Sequence, residues 1–252
     1  LATLDREGID HQHLAIDPAH PTGFMQKSRS DDGSDPQIEY NRKNSAASCM
    51  SATEIDPVYC ARARHLHLTG IYVGVSASTC DMIFELARLS RKAGLSISFD
   101  PNLRPALWPS QSEMVACLNR LSLLSDWVLP GLAEGQLLTG CDTAPDIADF
   151  YLARGARHVV VKLGAEGAIV SPAPHATRTT VAGQSVTAVD ATGAGDCFAG
   201  NLLARVSAGD SLWEATGYAN AAAALSVQGY GAVAPLPRHA DVLSQMMKAA
   251  NP

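Results

Sequence analysis

From residue 65 onward the apolar positions alternate between two rhythms. Short extended runs occur at His65-Leu66-His67-Leu68-Thr69-Gly70, Leu95 to Asp100, Asp126-Trp127-Val128-Leu129 and His158 to Lys162. Between them the apolar spacing is helical. Ser78 to Ala93 carries Met82, Ile83, Leu86 and Leu89 and stops at Gly94; Glu113 to Leu124 follows, and Ile147 to Ala153 is stopped by Gly155. The extended runs begin at residues 65, 95, 126 and 158, so successive starts are 30, 31 and 32 residues apart. That is the period of repeated strand–helix–strand units. It predicts a parallel sheet flanked by helices, with ligands gathering at the carboxyl ends of the strands.

The pattern is different at both ends of this region. Ala168-Ile169-Val170 and Thr177 to Val181 read as small antiparallel strands with Pro172 and Pro174 between them. Val186-Thr187-Ala188-Val189 reads as a further short strand, and Cys197 to Val206 as a helix. Ser211 to Val227 is a long Ala-rich helix and Arg238 to Ala249 a last amphipathic one. Upstream, residues 1–21 read as a helix end and a Pro-containing connection. Two extended runs, 22–28 and 37–43, flank the turn formers Asp31 to Pro36, which predicts a β-hairpin. The hairpin has too few apolar residues for a core of its own, so it reads as a lid. The expected organisation is a remnant of the core at 1–21, the lid at 22–48 and an α/β core at 49–252.

Composition narrows the class. A chain of 252 residues, 46% hydrophobic and 17% charged, fits a folded globular protein and excludes a disordered one. The formal charge of −6, without a basic run, argues against non-specific nucleic-acid binding. Six scattered cysteines (Cys49, Cys60, Cys80, Cys117, Cys141, Cys197) form no Cys-x-x-Cys pair, which points away from zinc and disulfides and toward a reducing cytoplasm. No apolar run has membrane-spanning length, so no membrane partner is expected. The opening residues are not a signal peptide and lack an initiator Met; the expectation is a chain supplied without its natural start.

Candidate chemistry concentrates in Asp190-Ala191-Thr192-Gly193-Ala194-Gly195-Asp196, just ahead of a helix. Small residues at Gly193, Ala194 and Gly195 let backbone N–H groups approach an anion at a helix start, where the dipole favours negative charge. Asp196, in the first turn, is placed to take a proton from a hydroxyl attacking phosphorus. A first-turn Asp is also an ordinary dipole contact. The other strand ends supply Asp100 to Pro105 with Arg104, Pro130 to Glu134, and Lys162 to Gly167. Arg104 suits a carboxylate or phosphate, or else is a surface Arg; Lys162 suits a polyphosphate, or else solvent. Glu134 suits a water on Mg²⁺, although a first-turn Glu reads more simply as a dipole contact. Tyr40 and Arg42 share one face of the second hairpin strand. His65 and His67 also share a face, without a third ligand at useful spacing for a metal.

Together these phrases resemble the ribokinase-like (PfkB) sugar kinases over nearly the whole chain. Asp190 to Asp196 is similar to the family loop, Lys162-Leu163-Gly164 with Gly167 to its nucleotide-side turn, and Tyr218 to Leu225 with Gly229-Tyr230-Gly231-Ala232 to its adenine-side helix and loop. Three longer phrases resemble the 2-keto-3-deoxygluconate kinases: Tyr40 to Ser48, Phe99 to Trp108, and Leu129 to Gly135. The resemblance implies a three-layer α/β/α sandwich with a small β lid. It implies Asp196 as catalytic base and Gly193, Ala194 and Gly195 as anion hole. It places Lys162, Gly164, Gly167, Gly193, Gly195 and Asn220 around ATP, and Tyr40, Arg42, Arg104 and Asp196 around a sugar acid. It implies Mg²⁺ near Glu134, a monovalent cation such as K⁺ at Asp190 and Thr192, and pairing of subunits through the lid. Two departures stand out: Gly131 replaces the family's Asn ahead of Glu134, and the family's opening strand–helix–strand unit with its Gly-Gly-x-x-x-Asn motif is absent from this sequence. The implied reaction is phosphoryl transfer from ATP to a primary hydroxyl of 2-keto-3-deoxygluconate. The alternatives are a fructose, ribose or nucleoside kinase of the same family, or a non-catalytic sugar-binding relative.

Overall fold

The computed structural model describes residues 1–27, 38–173 and 176–250. Helix α1 (Ala2–Arg6) leads through an irregular segment to strands β1 (Phe24–Lys27) and β2 (Ile38–Asn41), which pair antiparallel. The expected turn formers at 31–36 lie outside the described residues. A short helix α2 (Pro57–Cys60), capped by Asp56, precedes β3 (His65–Thr69) and a single turn, α3 (Gly70–Val73). The chain then runs through α4 (Ala77–Lys92), β4 (Ser96–Asp100), α5 (Gln111–Ser122), β5 (Trp127–Val128), α6 (Leu132–Thr139), α7 (Ala144–Leu152) and β6 (His158–Lys162). Two antiparallel strands, β7 (Gly167–Ser171) and β8 (Thr179–Ala182), complete the sheet, and α8 (Ala194–Ser207), α9 (Leu212–Ser226) and α10 (His239–Ala250) close the chain.

Strands β3 to β8 lie in sequence order in one sheet, parallel from β3 through β6 and antiparallel beyond. Successive side chains of a strand point to opposite faces, and β6 shows the consequence. Val159 and Val161 pack into a cluster with Phe99, Ile97, Met114, Leu118, Ile147 and Tyr151, beneath α4, α5 and α7. Val160 points the other way, joining Leu129, Val170, Phe198, Leu202 and Ala215 beneath α8 and α9. The sheet is therefore the middle of three layers, as expected. Each Leu, Ile or Phe fully buried here contributes about 1.5–3 kcal/mol. On β3 and β4 the second face is polar: His65 bonds the hydroxyls of Ser96 and Ser98 at 2.6 and 2.8 Å, and His67 bonds Ser98 at 2.7 Å. The shared face of the two histidines is real, and serines are their partners.

Two departures from the sequence pattern have local causes. Val186 to Val189 forms no strand. The Val189 and Asp190 N–H groups both donate to the Val227 carbonyl, at 2.7 and 3.1 Å, so α9 holds this stretch in place of a sheet edge. Helix α6 is invisible to apolar periodicity because it is short and carries Gly135 near its middle. It is set by Glu134 closing back on the Gly131 N–H at 2.8 Å and by Gly140 ending it at φ 73°. A Cβ on Gly135 would stand 2.7 Å from Ile147 Cγ2 on α7. Gly135→Ala is therefore expected to cost about 1–3 kcal/mol through overpacking, despite alanine's better helix propensity. A denaturant midpoint equal to or above that of the unsubstituted protein would show that α7 gives way freely.

Candidate active site

The site is built at the carboxyl ends of β4, β5 and β6 and at the head of α8. Gly193 caps α8 in the left-handed region, at φ 80° and ψ 1°. A Cβ there would lie 2.8 Å from Ala232 Cβ, so both conformation and space call for glycine. The Ala194 N–H donates to the Ala191 carbonyl at 3.2 Å, and Cys197 N–H to the Gly193 carbonyl at 2.8 Å. Gly195 and Asp196 lie between them in the first turn, where N–H groups have no intrahelical acceptor. Of the N–H groups of Gly193, Ala194, Gly195 and Asp196 read from the sequence as an anion hole, that of Ala194 is thus taken by the Ala191 carbonyl, while those of Gly195 and Asp196 have no helical acceptor. The Asp196 side chain is exposed and accepts from Asn102 Nδ2 at 3.3 Å. Asn102 itself sits at φ 42° in the turn after β4, its N–H donating to Asp100 Oδ1 at 3.2 Å. An Asn whose own preceding turn is pinned by a carboxylate tolerates that conformation well.

Beside this helix head, Lys162 at the end of β6 donates to Asp100 Oδ2 at 2.5 Å. Its ammonium also lies 3.6 Å from where a Cβ of Gly195 would stand. Asp100 is only 2% exposed, and burial pushes its carboxyl up to about 6, against the pull of Lys162 and with the help of Glu134 and Asp196. A folded-state value above the unfolded one means that the folded protein binds this proton more tightly. Its contribution to stability is therefore full at low pH and is lost as pH rises from the ordinary carboxylate range, about 4, to about 6. In Asp100→Asn that part of the stability–pH curve is expected to flatten; urea midpoints between those pH values that fall as steeply as before would assign the slope to another group.

A cavity of about 650 Å³ opens alongside, walled by Lys162, Gly164, Gly167, Gly195, Phe198 and Asn220 among others. The Gly164 and Gly167 positions adopt φ 61° and 101°, so this turn presents bare backbone to the cavity. Asn220, 7% exposed, donates its amide N–H groups to the Val181 and Ala182 carbonyls at 3.0 and 3.1 Å, fastening β8 to α9. Glu134 is on the wall as well, with one oxygen accepting the Leu103 N–H at 2.9 Å and the other the Gly131 N–H. Its carboxylate ties the turn after β4 to the head of α6.

The residues expected around a sugar lie outside this wall. Arg42 stacks over the Tyr40 ring, guanidinium carbon to centroid 4.7 Å, so the shared face of β2 extends past its end. Arg104 Nη1 donates to the neighbouring Leu103 carbonyl at 2.8 Å. Asp190 and Thr192, expected to surround a monovalent cation, instead hold the ammonium of Lys27, which donates to Asp190 Oδ1 at 2.8 Å and Thr192 Oγ1 at 2.5 Å. Lys27 was not legible as a site residue, because a Lys ending a short strand carries no signal of where its side chain reaches. Among the described residues, no helix is long and apolar enough to cross a membrane.

Comparison with known proteins places the fold in a family. Residues 1–239 match the pfkB family of carbohydrate kinases. The 2-dehydro-3-deoxygluconokinase of Bacillus subtilis is 42% identical over 246 residues, covering 97% of this chain and 75% of the relative. The crystal structure of a PfkB protein from Polaromonas sp. superposes with a TM-score of 0.86 at 41% identity, over 96% of this chain and 77% of the other. A fructokinase double mutant from Vibrio cholerae, solved with fructose, ADP and a potassium ion, gives a TM-score of 0.85 at 29% identity, over 97% and 79%. The chain belongs to the pfkB family of carbohydrate kinases, phosphotransferases that use an alcohol group as acceptor.

Proposed function

We propose that this kinase phosphorylates a sugar acid, 2-keto-3-deoxy-D-gluconate, on its 6-hydroxyl with ATP as donor. The observation that carries the reading is the exposed Asp196 carboxylate in the first turn of α8, beside N–H groups that lack helical acceptors. Asp196 takes the proton of the primary hydroxyl as its oxygen forms a bond to the γ-phosphorus, and the bond to the β-phosphate oxygen breaks to release ADP. The Gly195 and Asp196 amides meet the charge that develops on the phosphoryl oxygens. ATP fills the cavity walled by Gly164, Gly167 and Asn220, with Lys162 reaching its polyphosphate. Glu134, on the wall with each carboxylate oxygen accepting one backbone N–H and keeping a lone pair, would hold a water of a bound Mg²⁺. When bound, the ion offsets phosphate charge.

The acid specificity is supported by the Bacillus subtilis relative and by Tyr40, Arg42 and Arg104, which give a sugar carboxylate two guanidinium partners. The sheet of β1 and β2 then serves as the lid. Its exposed Phe24 and Met25, 55% and 45% accessible, suit pairing with a second subunit. The second reading, a fructose kinase, has the support of the Vibrio cholerae structure. A panel of sugars and sugar acids with coupled ADP detection separates the two. Turnover of the keto-deoxy acid above fructose and ribose is expected; preference for a neutral sugar would replace this proposal with the second reading.

A further inference from the structure

The monovalent cation expected between Asp190 and Thr192 does not fit the residues present, because an ammonium already stands there. We propose that Lys27 is this protein's own monovalent cation, delivered from the small sheet to the phosphate loop, and that the enzyme therefore needs no potassium. The activity side of this inference rests on the kinase reading above.

Lys27 Nζ meets both expected ligands, Asp190 Oδ1 at 2.8 Å and Thr192 Oγ1 at 2.5 Å. Asp190 meets further donors at both of its oxygens. Its Oδ1 accepts from the Thr192 N–H at 2.9 Å and the Thr192 hydroxyl at 2.6 Å, and its Oδ2 accepts the Gly231 N–H at 3.0 Å. Lys27, first among these partners, holds the Asp190 carboxyl well below the usual carboxylate range. An alkali ion carries the same charge as an ammonium and seeks the same oxygens, so it enters only by displacing Lys27. Yet Lys27 has a rival advantage: it is tethered to the same chain, which gives it a high effective concentration at the loop. The contact also joins elements 163 residues apart, fastening the end of β1 to the turn that leads into α8. Lys27 is thus a positioning residue for that turn and a latch for the small sheet.

The test compares unfolding temperature and turnover in KCl, NaCl and choline chloride at one ionic strength, for the unsubstituted protein, Lys27→Met and Lys27→Arg. The unsubstituted protein is expected to behave alike in all three salts. Lys27→Met is expected to lose about tenfold in turnover in choline chloride, the size of one charge-assisted hydrogen bond, and to regain both turnover and unfolding temperature in KCl more than in NaCl. Lys27→Arg is expected to keep the salt independence. A potassium-specific rise in the unsubstituted protein overturns the proposal, since an ion then binds despite Lys27. Lys27→Met indifferent to potassium on both readouts also overturns it, since the loop then needs no cation. If no sugar or sugar acid is turned over, the kinase reading fails while the unfolding temperatures still decide the role of Lys27.

Discussion

Asp196→Asn is expected to lower kcat by roughly 10²- to 10⁴-fold, the range for removing one acid–base group. The substitution is nearly isosteric at an exposed side chain whose one hydrogen bond among the described residues is a long one from Asn102, at 3.3 Å. Folding should therefore suffer little. The loss of a negative charge in the first turn of α8 costs about 0.3–1 kcal/mol. ATP affinity should change little, because the cavity wall is formed by other residues, Lys162, Gly164, Gly167 and Asn220 among them. Coupled ADP release gives kcat and calorimetric titration gives the nucleotide affinity. A variant with full kcat and unchanged ATP affinity would take Asp196 out of the reaction; one with full kcat at saturating ATP but much weaker ATP affinity would move it to the nucleotide side.

Arg104→Ala is expected to lower kcat/KM for the sugar acid about 10- to 100-fold, the value of a hydrogen bond between charged groups, and to leave fructose almost unaffected. Arg104 follows β4 in the same turn as Asn102, and its guanidinium bonds only its own neighbour, the Leu103 carbonyl, among the contacts described. That arrangement leaves most of its donors for a ligand: a guanidinium has five N–H groups. The stability of the variant should be close to that of the parent, which keeps the kinetic comparison clean. Equal losses on the acid and on fructose would show that Arg104 shapes the turn and does not read the carboxylate.

The sandwich was legible in the sequence because parallel strands buried on both faces read as unbroken apolar runs, as in Val159-Val160-Val161, and because the repeat of about thirty residues fixes connectivity. The glycine turn at the head of α8 was legible because two carboxylates, Asp190 and Asp196, stand at set offsets around its glycines, just ahead of a run with helical spacing. What escaped was decided by tertiary contact. Helix α6 exists through a backbone-to-carboxylate closure and a glycine fitted against Ile147, neither of which has a period. The run before Asp190 has strand-like residues, yet the sheet ends at β8 and the run bonds to α9 instead. Lys27 reaches Asp190 across 163 residues, a distance at which only the folded chain defines neighbours.

The single carbonyl of Val227, at the close of α9, accepts from both Val189 and Asp190. That acceptor joins the end of α9, on the wall of the cavity, to the loop that leads into α8. A substitution that shifts the close of α9 is thus expected to shift the loop ahead of α8 with it, so that a change made on the cavity wall is felt at Asp196 as well.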